Sequence, residues 1–286
     1  GSCPSSPPEP IQPGTIQGLE TVCSNAEIRG VLGGRSGSIL RLDHILKNDH
    51  FPSGENFTLE ERLPRTINFR QVQGLPIFGT AQPPADGVLE VVQRVKESGC
   101  SSTTWLNMRE EPMVYINGRS YCVKKSNDPF RNVERTGIST EQVEAEEMLL
   151  KTEILAEADR NGGRVLLHGE TCPEVQGEVA AWGESYGYWE PVSPEVVRTV
   201  REVYEEAMRA DASLTYHRIP VTDECAPEEK DIDRLLEVLG ATDATTGLVF
   251  NCQLGRGRTT TGMVIACIFR KWVCGHAPAW WDTAVG

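Results

Sequence analysis

The stretch that decides the fold is Asn251-Cys252-Gln253-Leu254-Gly255-Arg256-Gly257-Arg258-Thr259-Thr260-Thr261, which joins two apolar runs through a tight loop. The run before it, residues 247–250, predicts a buried strand, and the run after it, residues 262–268, predicts a helix. Successive backbone N–H groups of such a loop curl around an anion, and the helix N-terminus adds partial positive charge. The pattern therefore predicts a strand–loop–helix unit that binds phosphate.

Within this loop, five residues separate Cys252 from Arg258, and the two side chains suit phosphoryl transfer. A positive field stabilises the thiolate, which is the nucleophilic form of cysteine. The planar guanidinium of Arg258 is shaped to hold two phosphate oxygens and to stabilise charge in the transition state. The alternative is a buried, inert cysteine, because free cysteine is among the most buried residue types.

The composition, with 39% hydrophobic and 24% charged residues among 286, is that of an ordinary globular protein. A formal net charge of −13 disfavours charge-driven binding to nucleic acid or to anionic membranes. An anionic substrate must therefore bind at a local cluster of positive charge, which Arg256 and Arg258 supply. The nine cysteines contain no Cys-x-x-Cys pair, so we expect neither a zinc site nor a disulfide framework, and a reducing, cytoplasmic location is favoured.

Apolar periodicity and turn residues predict strands that alternate with helices. The predicted strands occupy residues 67–70, 75–79, 103–108, 164–168, 214–221 and 247–251. The predicted helices occupy about residues 86–98, 140–159, 194–209 and 227–239, and a last one runs from the cysteine loop to about residue 273. Asn117-Gly118 predicts a hairpin. This order favours an α/β fold in which helices cover both faces of a mainly parallel sheet.

Composition also suggests how the chain is divided. Residues 1–27 are rich in Pro, Ser and Gly and predict a flexible leader. The glycines between residues 31 and 40 predict a turn between short strands within a segment that spans residues 28–63. Residues 64–286 hold the predicted α/β domain, in which residues 169–192 are expected to form a surface loop.

Three motifs taken together resemble the protein tyrosine phosphatase superfamily and, within it, the paladin family, which is close to the cysteine-dependent phytases. They are Cys252 to Thr261, Met-Arg-Glu-Glu-Pro at residues 108–112, and Pro-Val-Thr-Asp-Glu at residues 220–224. The resemblance covers roughly residues 28–273. It implies a phosphatase domain over residues 64–286, a strap over residues 28–63 that packs on it, and one unit of a longer protein. No metal or other cofactor is expected, because Arg258 and the backbone donors stabilise the charge.

The reaction also needs an acid that protonates the leaving oxygen. Asp223 follows a predicted strand and matches the aspartate of the mobile acid loop in the family, with Glu224 as its neighbouring rival. A turn or helix-capping aspartate is the alternative. Thr259 is expected to donate its hydroxyl to the thiolate, and a capping role at the helix start is compatible with that.

Phosphate contacts are expected from the loop itself, at Gln253, Leu254, Gly255, Arg256 and Gly257. The glycines permit the backbone to curl around the anion. The extra cation inside the loop, Arg256, favours a substrate with several phosphates.

Three further residues are candidates for substrate contacts. Arg109 and Glu111 match a family segment that lines the substrate pocket, where a cation would hold a second phosphate. The alternative for this segment is a structural ion pair at a strand end. His217 belongs either to the site or to the core, because alternation along its strand directs one of His217 and Arg218 inward.

One residue departs from the pattern of the superfamily. Asn251 stands where a histidine usually precedes the cysteine, so the thiolate is expected to be tuned differently. Asparagine at this position matches the paladin family.

The sequence therefore predicts a cysteine-dependent phosphatase that acts on inositol phosphates or phosphoinositides. Its expected partner is a phosphorylated small molecule or a lipid headgroup, with transient contact to a membrane surface and without nucleic acid. Two alternatives stay open. One is a phosphotyrosine protein phosphatase, which needs a deep cleft with an aromatic wall. The other is a catalytically silent module that holds phosphorylated ligands, for which Asn251 is the best support.

Overall fold

The computed structural model describes residues 22–50, 61–63, 65–171, 183–272 and 275, which form two large sheets, a two-stranded ribbon and six helices. The helices are α1 Asn25–Gly34, α2 Gly87–Glu97, α3 Thr140–Arg160, α4 Val200–Ala210, α5 Glu229–Gly240 and α6 Gly257–Trp272. The strands are β1 His44–Asn48, β2 Glu61–Leu63, β3 Thr66–Ile67, β4 Arg70–Gln71, β5 Ile77–Thr80, β6 Ser102–Arg109, β7 Met113–Ile116, β8 Arg119–Lys125, β9 Arg164–Glu170, β10 Ser185–Pro191, β11 Val197–Thr199, β12 Leu214–Val221 and β13 Thr246–Asn251.

The first sheet has the strand order β12-β6-β13-β5-β4, and its first four strands run parallel while β4 pairs antiparallel at the edge. Parallel strands end at one edge of a sheet, and functional groups of open α/β sheets gather there. Here β6 ends at Arg109, β12 at Val221 and β13 at Asn251. This topology therefore brings together the three motifs, which lie at residues 108–112, 220–224 and 252–261 of the sequence.

Helices cover both faces of the first sheet, as the sequence predicted. On one face, Trp105 and Val249 pack with buried residues of α2 and α4. On the other face, their chain neighbours Leu106 and Phe250 pack with buried residues of α5 and α6. Successive side chains of a strand point to opposite faces, so the continuous apolar runs of β6 and β13 fit a sheet that is buried on both sides.

The first sheet is the mainly parallel sheet that the sequence predicted, and the second sheet is a mainly antiparallel addition to it. The strand order of the second sheet is β10-β9-β1-β8-β7-β11, and every pair is antiparallel except β1 with β9. The predicted Asn117-Gly118 hairpin is confirmed as the turn between β7 and β8. Its strands extend this sheet, and Leu150 and Ile154 of α3 pack against the sheet's apolar face. A two-residue turn pairs its strands antiparallel, so the hairpin belongs to a sheet of this kind.

The region before β1 is helical, and the predicted turn between short strands at residues 31–40 is wrong. Ser24 caps α1 and forms a capping box with Glu27, which is a signal that the sequence carries in Ser-x-x-Glu. α1 begins at Asn25 and Cys23 is buried, so ordered structure is present on both sides of the predicted leader boundary at residue 27. Residues 1–21 lie outside the described residues, and the division into leader, strap and phosphatase domain otherwise stays a prediction.

Three further expectations need correction. The predicted loop at residues 169–192 contains β10, which pairs with β9 over seven residues, while residues 172–182 lie outside the described part. The helix predicted from residue 194 begins at Val200 instead, where Thr199 forms a capping box with Glu202. β11, which precedes α4, pairs with β7, so residues 197–199 form a strand and the helix does not begin after Ser193. The predicted strand at residues 67–70 is also wrong, because Asn68 has a φ of +56° and separates β3 from β4, which belong to different sheets. The ends of the remaining predicted strands and helices are confirmed to within a few residues.

Within the described ranges, the structure contains no helix long and apolar enough to cross a membrane.

A buried ion pair fixes the second sheet against α1 and α3. Arg35, which follows α1, donates from Nε and Nη2 to the two carboxylate oxygens of Glu157 at 2.7 and 2.9 Å. Its Nη1 also donates to the carbonyl oxygen of His44 at 2.6 Å, at the start of β1. Both side chains are almost fully buried, so each charge depends on the other for its solvation.

Replacing Glu157 by alanine is therefore expected to lower the free energy of unfolding by about 3–5 kcal/mol, because Arg35 is left as an uncompensated buried charge. Urea denaturation measures the change. Asp159→Ala removes a carboxylate from the exposed side of the same helix and should change the free energy of unfolding by less than about 0.5 kcal/mol. Equal effects of the two substitutions would contradict this account.

Candidate active site

The cysteine loop lies between the end of β13 and the start of α6, and its carbonyl groups point outward into the protein. The N–H of Gln82 donates to Gln253 O at 3.0 Å. The side chain of Asn68 donates to Leu254 O at 3.1 Å and to Gly255 O at 2.8 Å. A peptide unit that turns its oxygen outward turns its N–H inward, so these contacts shape a ring of donors.

The inward-facing donors have no protein acceptor among the described residues. This holds for the N–H groups of Leu254 and Gly255, whose peptide units carry the outward-pointing carbonyl oxygens of Gln253 and Leu254. The N–H groups of Gly257 and Arg258, in the first turn of α6, also lack a protein acceptor there, and such groups at a helix N-terminus form an anion site. The loop therefore has the geometry to hold an oxyanion.

Gly255 is required by the path of the loop. Its φ is +69°, and a Cβ at this position would lie 2.5 Å from the backbone of Thr80 and Ala81 at the end of β5. Any other side chain would collide with that backbone, so only glycine allows the loop to pack on the sheet edge.

Cys252 is buried, with 4% of its surface exposed. The residue before it, Asn251, makes hydrogen bonds to two neighbouring elements. Asn251 accepts from Trp105 Nε1 at 2.8 Å and donates to Gln82 Oε1 at 2.9 Å. Gln82 in turn donates to the hydroxyl of Tyr115 at 2.7 Å. The asparagine is fully buried and its donors and acceptor are paired, so it anchors the start of the loop as a neutral group.

Arg258 is buried beneath the loop, between two carboxylates. Its Nη1 lies 2.8 Å from Glu111 Oε1, and its Nε lies 3.2 Å from Asp223 Oδ1. Neither contact is aligned as a hydrogen bond, and Nη1 donates only a long bond of 3.3 Å to Val221 O. The charges of the two carboxylates therefore hold the guanidinium in place, while its Nε–H makes no hydrogen bond to the protein and Nη1 makes only that long one.

Arg109 corrects the expectation of a second phosphate contact. Its guanidinium is fully buried and donates to both oxygens of Asp49, at 2.6 and 3.1 Å, and to Glu111 Oε2 at 3.2 Å. Glu111 is buried between the two arginines, so neither Arg109 nor Glu111 reaches a ligand in this arrangement. The segment adopts the structural ion pair that the sequence left open as the alternative.

The neighbouring arginines lower the pKa values of both buried carboxyl groups in this network, those of Asp49 and Glu111. Burial alone would raise the pKa of Glu111, but the charges of Arg258 and Arg109 outweigh it and lower the pKa to about 2. For Asp49 as well, burial opposes ionisation, and Arg109 nevertheless holds the pKa below its usual range. Gln253 joins the same network, because its side chain donates to Asp49 Oδ1 at 3.1 Å.

Asp223 lies at the end of β12 with its carboxylate against Arg258, and about a third of its side chain is exposed. Its backbone N–H donates to Glu110 Oε1 at 3.0 Å. Glu224 is exposed and adopts a φ of +56°, and no contact with Arg258 is found for its carboxylate among the described residues. Between the two rival acids, the geometry brings Asp223 to the loop.

Thr259 and Arg256 occupy opposite environments. Thr259 is fully buried in the first turn of α6, and its hydroxyl has no hydrogen-bond partner in the part of the chain that the structure describes. Arg256 is exposed at the rim of the loop.

His217 is not brought to the loop, which corrects its place among the candidate substrate contacts. Alternation along β12 turns Arg218 inward, where Nε donates to Arg109 O at 2.6 Å. His217 lines a cavity of about 240 Å³ that Thr140, Met208 and Arg234 also line, together with its chain neighbours Tyr216 and Arg218. No residue of the cysteine loop lines that cavity.

Sequence reasoning missed several residues that build the site. They are Asp49, Asn68, Gln82, Lys124 and Asn132. Most of their contacts with the site join residues 60 to 204 positions apart, so no local pattern points to them.

Comparison with known proteins agrees with this geometry. A sequence profile of the protein tyrosine phosphatase-like (PTP-like) phytases, described as "Inositol hexakisphosphate", matches residues 106–270, a range that contains all three motifs. Among curated proteins, human paladin is 32% identical over 206 residues, which are 70% of this chain and 20% of paladin. Zebrafish paladin is 26% identical over 259 residues, which are 86% of this chain and 28% of that protein. The chain thus spans about a fifth to a quarter of the length of these relatives.

Solved structures give the same fold. The tandemly repeated PTP-like phytase from Mitsuokella multacida aligns with a TM-score of 0.50 at 18% identity and covers 79% of this chain and 37% of the phytase. A PTP-like myo-inositol phosphatase from the same organism, in complex with myo-inositol-(1,3,4,5)-tetrakisphosphate, aligns with the same score, identity and coverage. The predicted phosphatase-type α/β fold is confirmed. Since the profile matches more than half of its residues, this chain belongs to the PTP-like phytase family.

Proposed function

We propose that this chain is a cysteine-dependent phosphatase that hydrolyses phosphomonoesters of inositol phosphates or phosphoinositides through a cysteinyl-phosphate intermediate. The observation that carries the proposal is a convergence at one sheet edge. Buried Cys252 lies in a loop of unpaired N–H donors, and the Asp223 carboxylate lies 3.2 Å from Nε of the loop arginine, Arg258. Nucleophile, oxyanion donors and acid are the three components that this reaction requires.

In the first step, the thiolate of Cys252 attacks phosphorus, the S–P bond forms and the ester P–O bond breaks. Asp223 gives its proton to the leaving oxygen, which would otherwise depart as a poor alkoxide. In the second step, water attacks phosphorus, the S–P bond breaks, and Asp223 takes the proton of the water. The unpaired hydroxyl of Thr259 donates to the sulfur and stabilises the departing thiolate.

The oxyanion donors are preorganised, which is the main source of catalytic power in sites of this kind. The loop N–H groups and Arg258 bind the equatorial oxygens without moving, because the outward contacts of the loop and the carboxylates beside Arg258 fix them beforehand. In this proposal Arg109, Glu111 and Asp49 act as supports of Arg258 and of the loop, and do not contact substrate.

The substrate class rests on charge and on the relatives. Arg256 adds an exposed cation to the cysteine loop, in a protein whose net charge is −13. A substrate with several phosphates gains from both cations. The family profile is described by inositol hexakisphosphate, and a structurally similar phosphatase binds an inositol tetrakisphosphate, which supports the same class here. A phosphoinositide headgroup presents the same chemistry at a membrane surface.

The first test is phosphate release from inositol hexakisphosphate, a short-chain phosphoinositide and a phosphotyrosine peptide, each with wild type and Cys252→Ser. We expect release from the inositol compounds and a loss of at least about 10³-fold in the variant, because serine is a far weaker nucleophile at neutral pH. Release from the peptide alone would indicate a protein phosphatase. Binding without release from any of the three would indicate a silent binding module.

The second test separates acid catalysis from the rest of the reaction. Asp223→Asn is expected to lower kcat about 10²-fold for an alkyl ester such as glycerol 2-phosphate, whose leaving oxygen needs a proton. For p-nitrophenyl phosphate, which leaves as a stabilised phenolate, kcat should change little. Glu224→Gln serves as the matched control and should affect neither substrate. A selective loss in Glu224→Gln, with none in Asp223→Asn, would assign the acid to Glu224.

The third test addresses the number of phosphates. Arg256→Ala is expected to raise KM for inositol hexakisphosphate about 3–10-fold and to leave KM for p-nitrophenyl phosphate nearly unchanged, since only the larger substrate reaches the rim cation. Arg209→Ala removes the same charge from the exposed end of α4 and should change neither KM. An equal rise for both substrates would instead place Arg256 at the reacting phosphate.

A further inference from the structure

One side chain of the segment between β8 and α3, that of Asn132, contacts the proposed acid, Asp223. Asn132 donates from Nδ2 to Asp223 Oδ2 at 2.7 Å, across 91 positions of the chain. On its other side, Asn132 Oδ1 accepts from Nζ of Lys124, a fully buried residue of β8. The mechanism given above uses neither Asn132 nor Lys124.

The lysine fixes which way the amide of Asn132 points. An ammonium group has only donors, so the amide oxygen must face Lys124 and the NH₂ group must face Asp223. A flipped amide would set its NH₂ group against the ammonium and its oxygen against the carboxylate, and both contacts would be lost. Asn132 is therefore a donor toward Asp223 and nothing else.

This contact fixes how the carboxyl group of Asp223 is oriented. Asn132 holds Oδ2, so Oδ1 is the oxygen that lies 3.2 Å from Nε of Arg258. Oδ1 also accepts a long bond of 3.2 Å from the N–H of Glu224. The plane of the carboxyl group is therefore set by donors on both of its oxygens.

We propose that Asn132, held by Lys124, is a positioning residue that orients the carboxyl group of Asp223 beside Arg258 for proton transfer. The inference rests on the proposed function, in which Asp223 is the acid. In the first step the O–H bond of the Asp223 carboxyl group breaks as the leaving oxygen gains the proton. In the second step the carboxylate receives the proton of the attacking water, so the group is restored. Without Asn132, the carboxyl group is free to rotate away from this orientation.

The test compares Asn132→Ala and the near-isosteric Asn132→Leu with wild type on two substrates. For glycerol 2-phosphate, which needs the acid, we expect kcat to fall about tenfold, a part of the full contribution of a general acid. For p-nitrophenyl phosphate we expect a change of less than about twofold, because the acid matters little there. Adding Asn132→Ala to Asp223→Asn should cause no further loss on either substrate, since the two residues act as one unit.

The control is Asn161→Ala, which removes an asparagine side chain that donates to Glu157 O at the end of α3, away from the loop. It should leave both rates unchanged. An equal fall on both substrates in both Asn132 variants, or a further loss in the double variant, would overturn the inference and leave Asn132 a structural residue only. If Asp223→Asn is selective for the alkyl ester and the Asn132 variants are not, this inference fails while the proposed acid stands. If Asp223→Asn is not selective, both fail together.

Discussion

A buried series of alternating charges, Asp49, Arg109, Glu111 and Arg258, holds the site in place. It starts after β1 in the second sheet, crosses the end of β6 and reaches the first turn of α6, so it joins the two sheets beneath the cysteine loop. Each member is almost fully buried, and removing one would leave its neighbour as an uncompensated charge. The position of Arg258, and with it the shape of the cysteine loop, therefore depends on residues outside the loop.

The neutral contacts around the loop complete this support. Asn68 and Gln82 donate hydrogen bonds to carbonyl groups of the loop, and Asn251 at the end of β13 accepts one from Trp105. These contacts leave the loop N–H groups as the unpaired donors, which is the arrangement that a dianionic phosphate completes. Asn251 therefore has a structural explanation in this fold: it is a fully paired amide whose charge does not change with pH, where the wider superfamily has an ionisable histidine.

Local patterns were enough to predict the strand–loop–helix unit, the hairpin at Asn117-Gly118 and the start of α3, because each depends on residues within a few positions of one another. They were not enough where a distant contact decides the structure. Arg109 follows a strand at the functional edge, where a cation suits phosphate, and the distant contact with Asp49, which follows β1 of the other sheet, makes it part of a structural ion-pair network. Likewise, pairing of β11 with β7 places the start of α4 after the cap at Thr199. The capping box of α1, by contrast, is a local pattern, and the glycines that follow it indicate a turn instead.

The central claim is that the cradle serves covalent catalysis at Cys252, and trapping the intermediate tests it most directly. Enzyme turning over inositol hexakisphosphate would be quenched in acid within its first turnover, digested and mapped by mass spectrometry. The account predicts a phosphate on the peptide that contains Cys252, formed with wild type and absent with Cys252→Ser. Phosphate release by a Cys252→Ser enzyme at the wild-type rate, or a phosphate trapped on a different residue, would contradict it.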